Sequence, residues 1–175
     1  MREMEIYGVS FDLVGKQPIV LLKTADGNKF LPIWIGHPEA AAILQKLQNA
    51  ATVRPMTHDL VADMLGQLEA EVVSVAVTEL RENTFYARIT IQQNGSELEI
   101  DSRPSDAIAL AVRFRAKIYA ADEVIEESGI EFESEGVESE EGGTTATPLA
   151  DLDPAEFRQF LDSVTPDEFA RGEDS

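Results

Sequence analysis

The sequence of 175 residues contains no cysteine. A disulfide framework, a thiolate-bound metal site and a cysteine nucleophile are therefore excluded. The chain also lacks any apolar run of about 18 residues, the length that a helix needs to cross a bilayer, so we expect no membrane partner. Its first residues carry no apolar stretch behind a basic cluster. We therefore expect no secretory signal and a cytoplasmic location.

Positive charge is scarce, with 14 lysines and arginines against 33 acidic residues and a formal net charge of −19. The imbalance is concentrated in one part of the chain. Residues 1–119 carry 12 basic and 15 acidic side chains, whereas residues 120–175 carry 2 and 18. The first part is thus nearly neutral, and the overall charge does not exclude nucleic acid as its partner.

The apolar pattern predicts an α+β fold with a largely antiparallel, mixed sheet and helices packed against it. Hydrophobic residues make up 43% of the chain, which is enough for a sizeable core. Nearly unbroken apolarity in residues 29–35 predicts a strand that is buried on both faces. Further strands are predicted at residues 5–9, 19–23, 71–80, 84–93 and 97–101, and helices begin near Pro38, Thr57 and Pro104.

A weak internal repeat accompanies these elements. Residues 38–44 align with residues 104–110, and each segment follows a third short strand. A duplicated strand-strand-strand-helix unit would explain the alignment, although the shared residues are few and mostly alanine.

The composition changes after the predicted domain, which we place at residues 1–132. Residues 133–147 are acidic and almost free of apolar side chains, as in a flexible linker. Residues 148–175 then contain an amphipathic helical pattern with Phe157, Phe160, Leu161 and Val164 on one face. We expect this tail to dock on the domain or on a partner, and a homo-oligomer such as a dimer is one such assembly.

No phosphate-binding glycine loop, HExxH or GxSxG motif is present, so candidate sites come from two polar clusters. The first cluster opens a helix and contains Arg54, His58, Asp59 and Asp63. Asp59 and Asp63 share one helix face, and carboxylates beside an imidazole could hold Mg²⁺ or Mn²⁺. Spacing alone favours a structural interpretation, in which Asp59 stabilises the helix N-terminus and Asp63 is solvated.

The second cluster lies where a strand ends and a helix starts. It contains Asp101, Arg103, Ser105 and Asp106, beside backbone N–H groups that could bind a phosphate. The structural alternative is that Ser105 or Ser102 caps the helix while Arg103 pairs with Asp101. His37 with Glu39, at the start of the first helix, is a third and weaker candidate.

Four blocks of the sequence, in this order, resemble the bifunctional nuclease (BFN) domain family. They are Leu31-Pro32-Ile33-Trp34-Ile35-Gly36 with Glu39-Ala40, Arg54-Pro55-Met56-Thr57-His58-Asp59-Leu60, Thr84-Phe85-Tyr86-Ala87, and the segment from Ile100 to Ala111. The resemblance covers roughly residues 3–132. It implies an α+β domain that acts on RNA and DNA.

The resemblance therefore favours a nuclease that hydrolyses phosphodiester bonds of RNA or DNA with a divalent metal, Mg²⁺ or Mn²⁺. The two clusters supply its candidate residues: catalytic His58, Asp59, Asp101 and Asp106; substrate-binding Arg54, Arg103 and Ser105; and metal-binding Asp59, Asp63 and Asp101. If the clusters form one site, a carboxylate from each should lie within about 8 Å of the other. The alternative is a non-catalytic regulatory or protein-interaction domain on the same fold.

Overall fold

Two three-stranded antiparallel meanders, each followed by a helix, build most of the chain. The computed structural model describes residues 1–11 and 17–131; the predicted linker and tail lie outside them. The first unit comprises β1 (Arg2–Phe11), β2 (Pro18–Thr24), β3 (Lys29–Trp34) and α1 (His37–Leu47). After α2 (Thr57–Gln67), the second comprises β4 (Ala70–Arg81), β5 (Thr84–Gln93), β6 (Ser96–Ser102) and α3 (Pro104–Phe114). Then follow β7 (Lys117–Ala120), α4 (Asp122–Ser128) and β8 (Ile130–Glu131).

One mixed sheet joins the two units. Its eight strands lie in the order β6-β5-β4-β7-β1-β2-β3-β8. Strand β7 sits between the meanders, antiparallel to β1 and parallel to β4. This parallel pair makes the sheet mixed rather than purely antiparallel, which confirms the predicted α+β class.

The turns within the second meander follow from local backbone chemistry. Asn94 and Gly95 have φ angles of 50° and 78°, so both occupy the left-handed region that a type I′ hairpin turn requires. Glu82 and Asn83 turn the preceding hairpin with φ angles of 47° and 58°. This second turn places its tip beside the start of α3, where it borders the cavity described below.

The core lies between the sheet and a layer of helices centred on α3. Helix α3 packs against α1, α2, β4 and β5. Strand β3 is buried over its four central residues, as its unbroken apolarity predicted. The largest side chains with almost no exposure are Leu22, Leu31, Ile33, Ile43, Ile108 and Ile125.

The residue types of α2 predict Thr57 as its N-cap, and their spacing predicts one apolar stripe, made of Leu60, Val61, Met64, Leu65 and Leu68. The structure differs in both respects. Thr57 is the first residue of the helix rather than its N-cap, which is Met56. The predicted apolar stripe is also divided. Val61 and Leu65 pack against the core, whereas Leu60, Met64 and Leu68 are exposed by 54%, 56% and 60%. No helix within the described ranges is long and apolar enough to span a membrane.

Candidate active site

The starts of α2 and α3 meet through one contact between side chains. Nε2 of His58 lies 2.9 Å from Oδ1 of Asp106, although 48 residues separate them in the chain. Both side chains are largely buried, with exposures of 13% and 29%. The two polar clusters of the sequence are thus brought together by an imidazole and a carboxylate.

Arg103 extends this contact toward α1. Its Nε donates a hydrogen bond of 2.7 Å to Oδ2 of Asp106, and its Nη2 donates one of 2.9 Å to Oε1 of Glu39. A guanidinium has five N–H donors, so three remain for another acceptor. Because Arg103 is 65% exposed, these donors can reach an anion from solvent.

The local backbone places Glu39 where Arg103 can reach it. Glu39 lies in the first turn of α1, after Pro38, and its carboxylate folds back over Gly36. A Cβ atom at Gly36 would clash with that carboxylate. Glycine at this position therefore leaves Glu39 free to accept a hydrogen bond from Arg103.

Asp59 has a different partner. Its Oδ1 accepts a hydrogen bond of 2.7 Å from Nε of Arg113, and its Oδ2 accepts one of 2.9 Å from the backbone N–H of Met56. Nη1 of Arg113 also donates to the carbonyls of Ala42 and Ala109, and its side chain is only 5% exposed. This buried cation ties α1, α2 and α3 together.

The two aspartates are held by different arginines. Asp106 accepts a hydrogen bond from Arg103, at the start of α3. Asp59 accepts one from Arg113, whose guanidinium also reaches back to the carbonyl of Ala109. Within residues 1–11 and 17–131, no three histidine or acidic side chains are grouped so that they could hold a metal ion.

The remaining candidates take no part in the hydrogen bonds described above. Ser105 is buried in the first turn of α3 and lines the adjacent cavity. Arg54 is exposed in the loop before α2, and Asp63 is exposed one turn beyond Asp59. Asp101 is exposed on the edge strand β6, where it lies opposite Arg88.

Two residues that form these ion pairs, Arg113 and Glu39, were not predicted to do so from the sequence. Arg113 follows the unbroken apolar run of residues 107–112 in α3, and a cation in such a pattern is a signal for a buried ion pair. Glu39 belongs to a family-like block, but its contact with Arg103 spans 64 residues and has no local signature.

The ionisation of these groups follows from their partners. Burial raises the pKa of Asp106, but the hydrogen bonds from Arg103 and His58 outweigh it, so the pKa lies below its ordinary 3.8. Asp106 and Glu39 in turn raise the pKa of Arg103. The Met56 N–H and Arg113 lower the pKa of Asp59 despite its partial burial. At neutral pH both aspartates are therefore anions and Arg103 is a cation.

Acid should weaken the contribution of Asp59 to stability. A carboxylate whose pKa is lowered by folding stabilises the native state above its ordinary value of 3.8, and the benefit is lost as the pH falls through the folded-state pKa. We expect Asp59→Asn to lower the free energy of unfolding by about 1–3 kcal/mol at pH 7, since it removes a charge-assisted hydrogen bond.

Urea unfolding from neutral pH downward would measure this effect. The difference between wild type and Asp59→Asn should shrink below about pH 5. Asp63→Asn, at an exposed position of the same helix, is the matched control. A difference that stays constant down to strongly acidic pH would contradict the proposed role of the carboxylate charge.

A cavity opens next to Arg103. It has a volume of about 410 Å³ and lies between the end of β3, the β4–β5 hairpin, the start of α3 and the end of α4. The guanidinium thus stands between the His58–Asp106 pair and an open space large enough for a small organic group.

Known proteins show the same sequence pattern. The model of the bifunctional nuclease domain matches residues 20–133. An uncharacterized protein of Mycobacterium tuberculosis (strain H37Rv) is 37% identical over 169 residues, which cover 97% of this chain and 98% of that relative.

Plant relatives match a shorter segment. Bifunctional nuclease 1 of Arabidopsis thaliana is 30% identical over 105 residues, which cover 58% of this chain and 32% of the plant protein. Bifunctional nuclease 1 of Oryza sativa subsp. japonica is 29% identical over 115 residues, which cover 63% and 35%. Because the domain model spans more than half of the chain, the chain belongs to the bifunctional nuclease domain family.

Proposed function

We propose that this chain hydrolyses phosphodiester bonds of RNA or DNA in the cytoplasm, at the centre formed by His58, Asp106 and Arg103. One observation carries the proposal: an imidazole held by a partly buried carboxylate stands beside an exposed guanidinium that shares the same carboxylate. The names of the plant relatives support nucleic acid as the substrate.

In this proposal Asp106 sets the proton position on His58. When Nε2 of His58 carries the proton, its N–H donates a hydrogen bond to Asp106, and the lone pair of Nδ1 is available as a general base. No hydrogen bond joins Nδ1 to another residue that the structure describes. The carboxylate also stabilises the imidazolium that forms when Nδ1 takes up a proton.

The chemical step then needs a nucleophile and a stabilised phosphate. Water loses a proton to Nδ1 while its oxygen forms the new bond to phosphorus and the bond to the departing oxygen breaks. The departing oxygen takes a proton from solvent, and the imidazolium returns its own proton to solvent. In RNA the ribose 2′-hydroxyl can take the place of water in this first step. The spare N–H donors of Arg103 match the geometry of phosphate oxygens and would stabilise the added negative charge.

Two of the candidate carboxylates are already engaged by protein groups, which does not fit a metal ion bound at either of them. Asp106 is engaged by Arg103 and His58, and Asp59 by Arg113 and a backbone N–H. A cation would have to displace these partners, so no step is assigned to it. A requirement for Mg²⁺ or Mn²⁺ remains a separate proposal that the assay below decides.

Cleavage of labelled single-stranded RNA and DNA by extensively purified protein would test the proposed function. Parallel reactions would contain EDTA, Mg²⁺ or Mn²⁺, and His58→Gln protein would report contamination by other nucleases. Turnover in EDTA that His58→Gln lacks would support the acid–base scheme. Turnover only with a metal would assign the chemistry to a cation, and equal turnover by both proteins would refute the site.

Arg103→Lys should reduce cleavage by at least about tenfold at unchanged stability. Lysine keeps the charge but loses the planar fork that can hold Asp106, Glu39 and a phosphate together. Because Arg103 is 65% exposed, the melting temperature should hardly change. Arg81→Lys, at a similarly exposed arginine of the β4–β5 hairpin, is the control. A clear loss of stability in Arg103→Lys would make Arg103 a structural partner instead.

A non-catalytic interaction domain is the second candidate, and the exposed apolar face of α2 favours it. Leu60, Met64 and Leu68 follow one another at four-residue spacing on that face. In that case the protein would cleave neither substrate under any metal condition. Replacing Leu60 and Met64 by glutamate would then change its association state without affecting its melting.

A further inference from the structure

The cavity next to Arg103 is almost free of charge. Among the described residues that line it, Arg103 is the single ionisable side chain. Its other polar walls come from neutral amides and hydroxyls: Gln17, Asn83, Thr84, Ser105 and Ser128. Such a lining can exchange hydrogen bonds with a neutral polar ligand but offers only one cation, at its edge, for an anionic group.

Two aromatic side chains form part of the wall. Trp34 lies at the end of β3, and Phe85 lies at the start of β5. Both are partly exposed, so their rings remain accessible to a ligand in the cavity. Aromatic rings of this kind stack on planar heterocycles irrespective of the exact sequence of a nucleic acid.

Ser128 is the observation that points most directly to a ligand. It ends α4, lines the cavity and is only 2% exposed. Its Oγ has no hydrogen-bond partner among the residues that the structure describes. A buried hydroxyl without a partner costs stability, and a ligand in the cavity that Ser128 lines would supply one.

We propose that this cavity binds the nucleobase of the nucleotide whose phosphate lies at Arg103. This inference rests on the proposed function, since it names the part of the same site that holds the base. The planar ring would stack on Trp34 or Phe85, and its polar edge would reach the hydroxyl of Ser128. Arg103 lines the cavity and also contacts Asp106, so a phosphate bound at its guanidinium would lie close to both the base-binding cavity and the His58–Asp106 pair.

The lining discriminates between a base and other groups. A second phosphate would meet no cation beyond Arg103, and a lysine or arginine side chain would find no carboxylate among the described lining residues. A purely apolar group would leave Ser128 without a partner. A nucleobase combines a stacking face with donors and acceptors along one edge, and it satisfies both features.

Trp34 allows a direct test because it is the only tryptophan of the chain. We expect adenosine monophosphate and cytidine monophosphate to change its fluorescence in a saturable manner. Ribose 5-phosphate and inorganic phosphate should produce no such change, because they lack the ring. An equal response to ribose 5-phosphate, or no response to any nucleotide, would overturn the inference.

Two variants separate binding from folding. Ser128→Ala should weaken nucleotide binding about 2- to 10-fold, the effect of one neutral hydrogen bond, while melting stays the same or rises. Phe85→Leu should weaken it by at least about fivefold, since it removes a stacking surface but keeps apolar volume. Ser96→Ala, at an exposed serine of β6, is the control. Unchanged affinity in both cavity variants would also overturn the inference.

The cleavage assay distinguishes this failure from failure of the proposed function. If cleavage depends on His58 but no nucleotide changes the fluorescence of Trp34, the base-binding cavity is rejected and the proposed nuclease activity stands. If the protein cleaves nothing but a nucleotide changes its fluorescence in a saturable manner, and Ser128→Ala weakens this response, the base-binding cavity stands and the proposed hydrolysis is rejected.

Discussion

Replacing His58 by glutamine is expected to lower the rate of oligonucleotide cleavage by about 10²–10⁴-fold, the usual contribution of a general acid or base. Glutamine can still donate a hydrogen bond to Asp106, but it cannot take up a proton near neutral pH. Stability should change little, since the contact and most of the side-chain volume are kept. Single-turnover cleavage rates and thermal melting of the two proteins would measure these effects.

His37 provides the matched control because it is the only other histidine of the chain. It is exposed at the first residue of α1, and we assign it no role in the reaction. His37→Gln should therefore keep the wild-type rate. A similar loss in both variants, or full activity in His58→Gln, would remove the imidazole of His58 from the mechanism.

Replacing Arg113 by methionine should produce a large loss of stability. The buried guanidinium holds the Asp59 carboxylate and two backbone carbonyls, from α1 and α3. Methionine fills much of the space but donates no hydrogen bond, so Asp59 loses its cation and both carbonyls lose this donor. Removing one partner of a buried ion pair typically costs about 3–5 kcal/mol, which urea unfolding would detect as a large shift in midpoint.

Arg88→Met tests whether burial is the cause. Arg88 and Glu99 form an ion pair of 2.6 Å in which both side chains are more than half exposed, so its loss should cost no more than about 1 kcal/mol. The double variant Asp59→Asn/Arg113→Met should regain part of the lost stability, because no carboxylate is then left unpaired. Equal losses for Arg113→Met and Arg88→Met would contradict the buried role.

Local patterns in the sequence account for most of the fold. Residues 84–93 alternate in a way that predicts β5 with its observed bounds, and Asn94-Gly95 predicts the turn that follows it. Strand β7 and helix α4 were not predicted, because segments of four and seven residues are too short to show a clear period of hydrophobic residues. The parallel pairing of β7 with β4 is a long-range property that no local signal carries.

The site was only partly predictable for a similar reason. The sequence singled out His58, Arg103 and Asp106 by type and by their place at helix starts. It could not show that His58 contacts Asp106 across 48 residues, or that Arg113 forms an ion pair with Asp59. Spacing along a helix placed Asp59 and Asp63 together as metal ligands. The tertiary packing instead directs the Asp59 carboxylate inward, toward a cation on another helix.

The two meander-plus-helix units place Arg103 and Glu39 in one contact although each belongs to a different unit. Two identical subunits related by a two-fold axis must present the same residue at both equivalent positions. Within one chain that restriction does not apply. Aligning Pro38 with Pro104 puts His37 opposite Arg103 and Ser105 opposite Glu39. The starts of α1 and α3 therefore carry different side chains. A single chain can thus hold one asymmetric centre, whereas a symmetric pair of subunits would have to hold two identical ones.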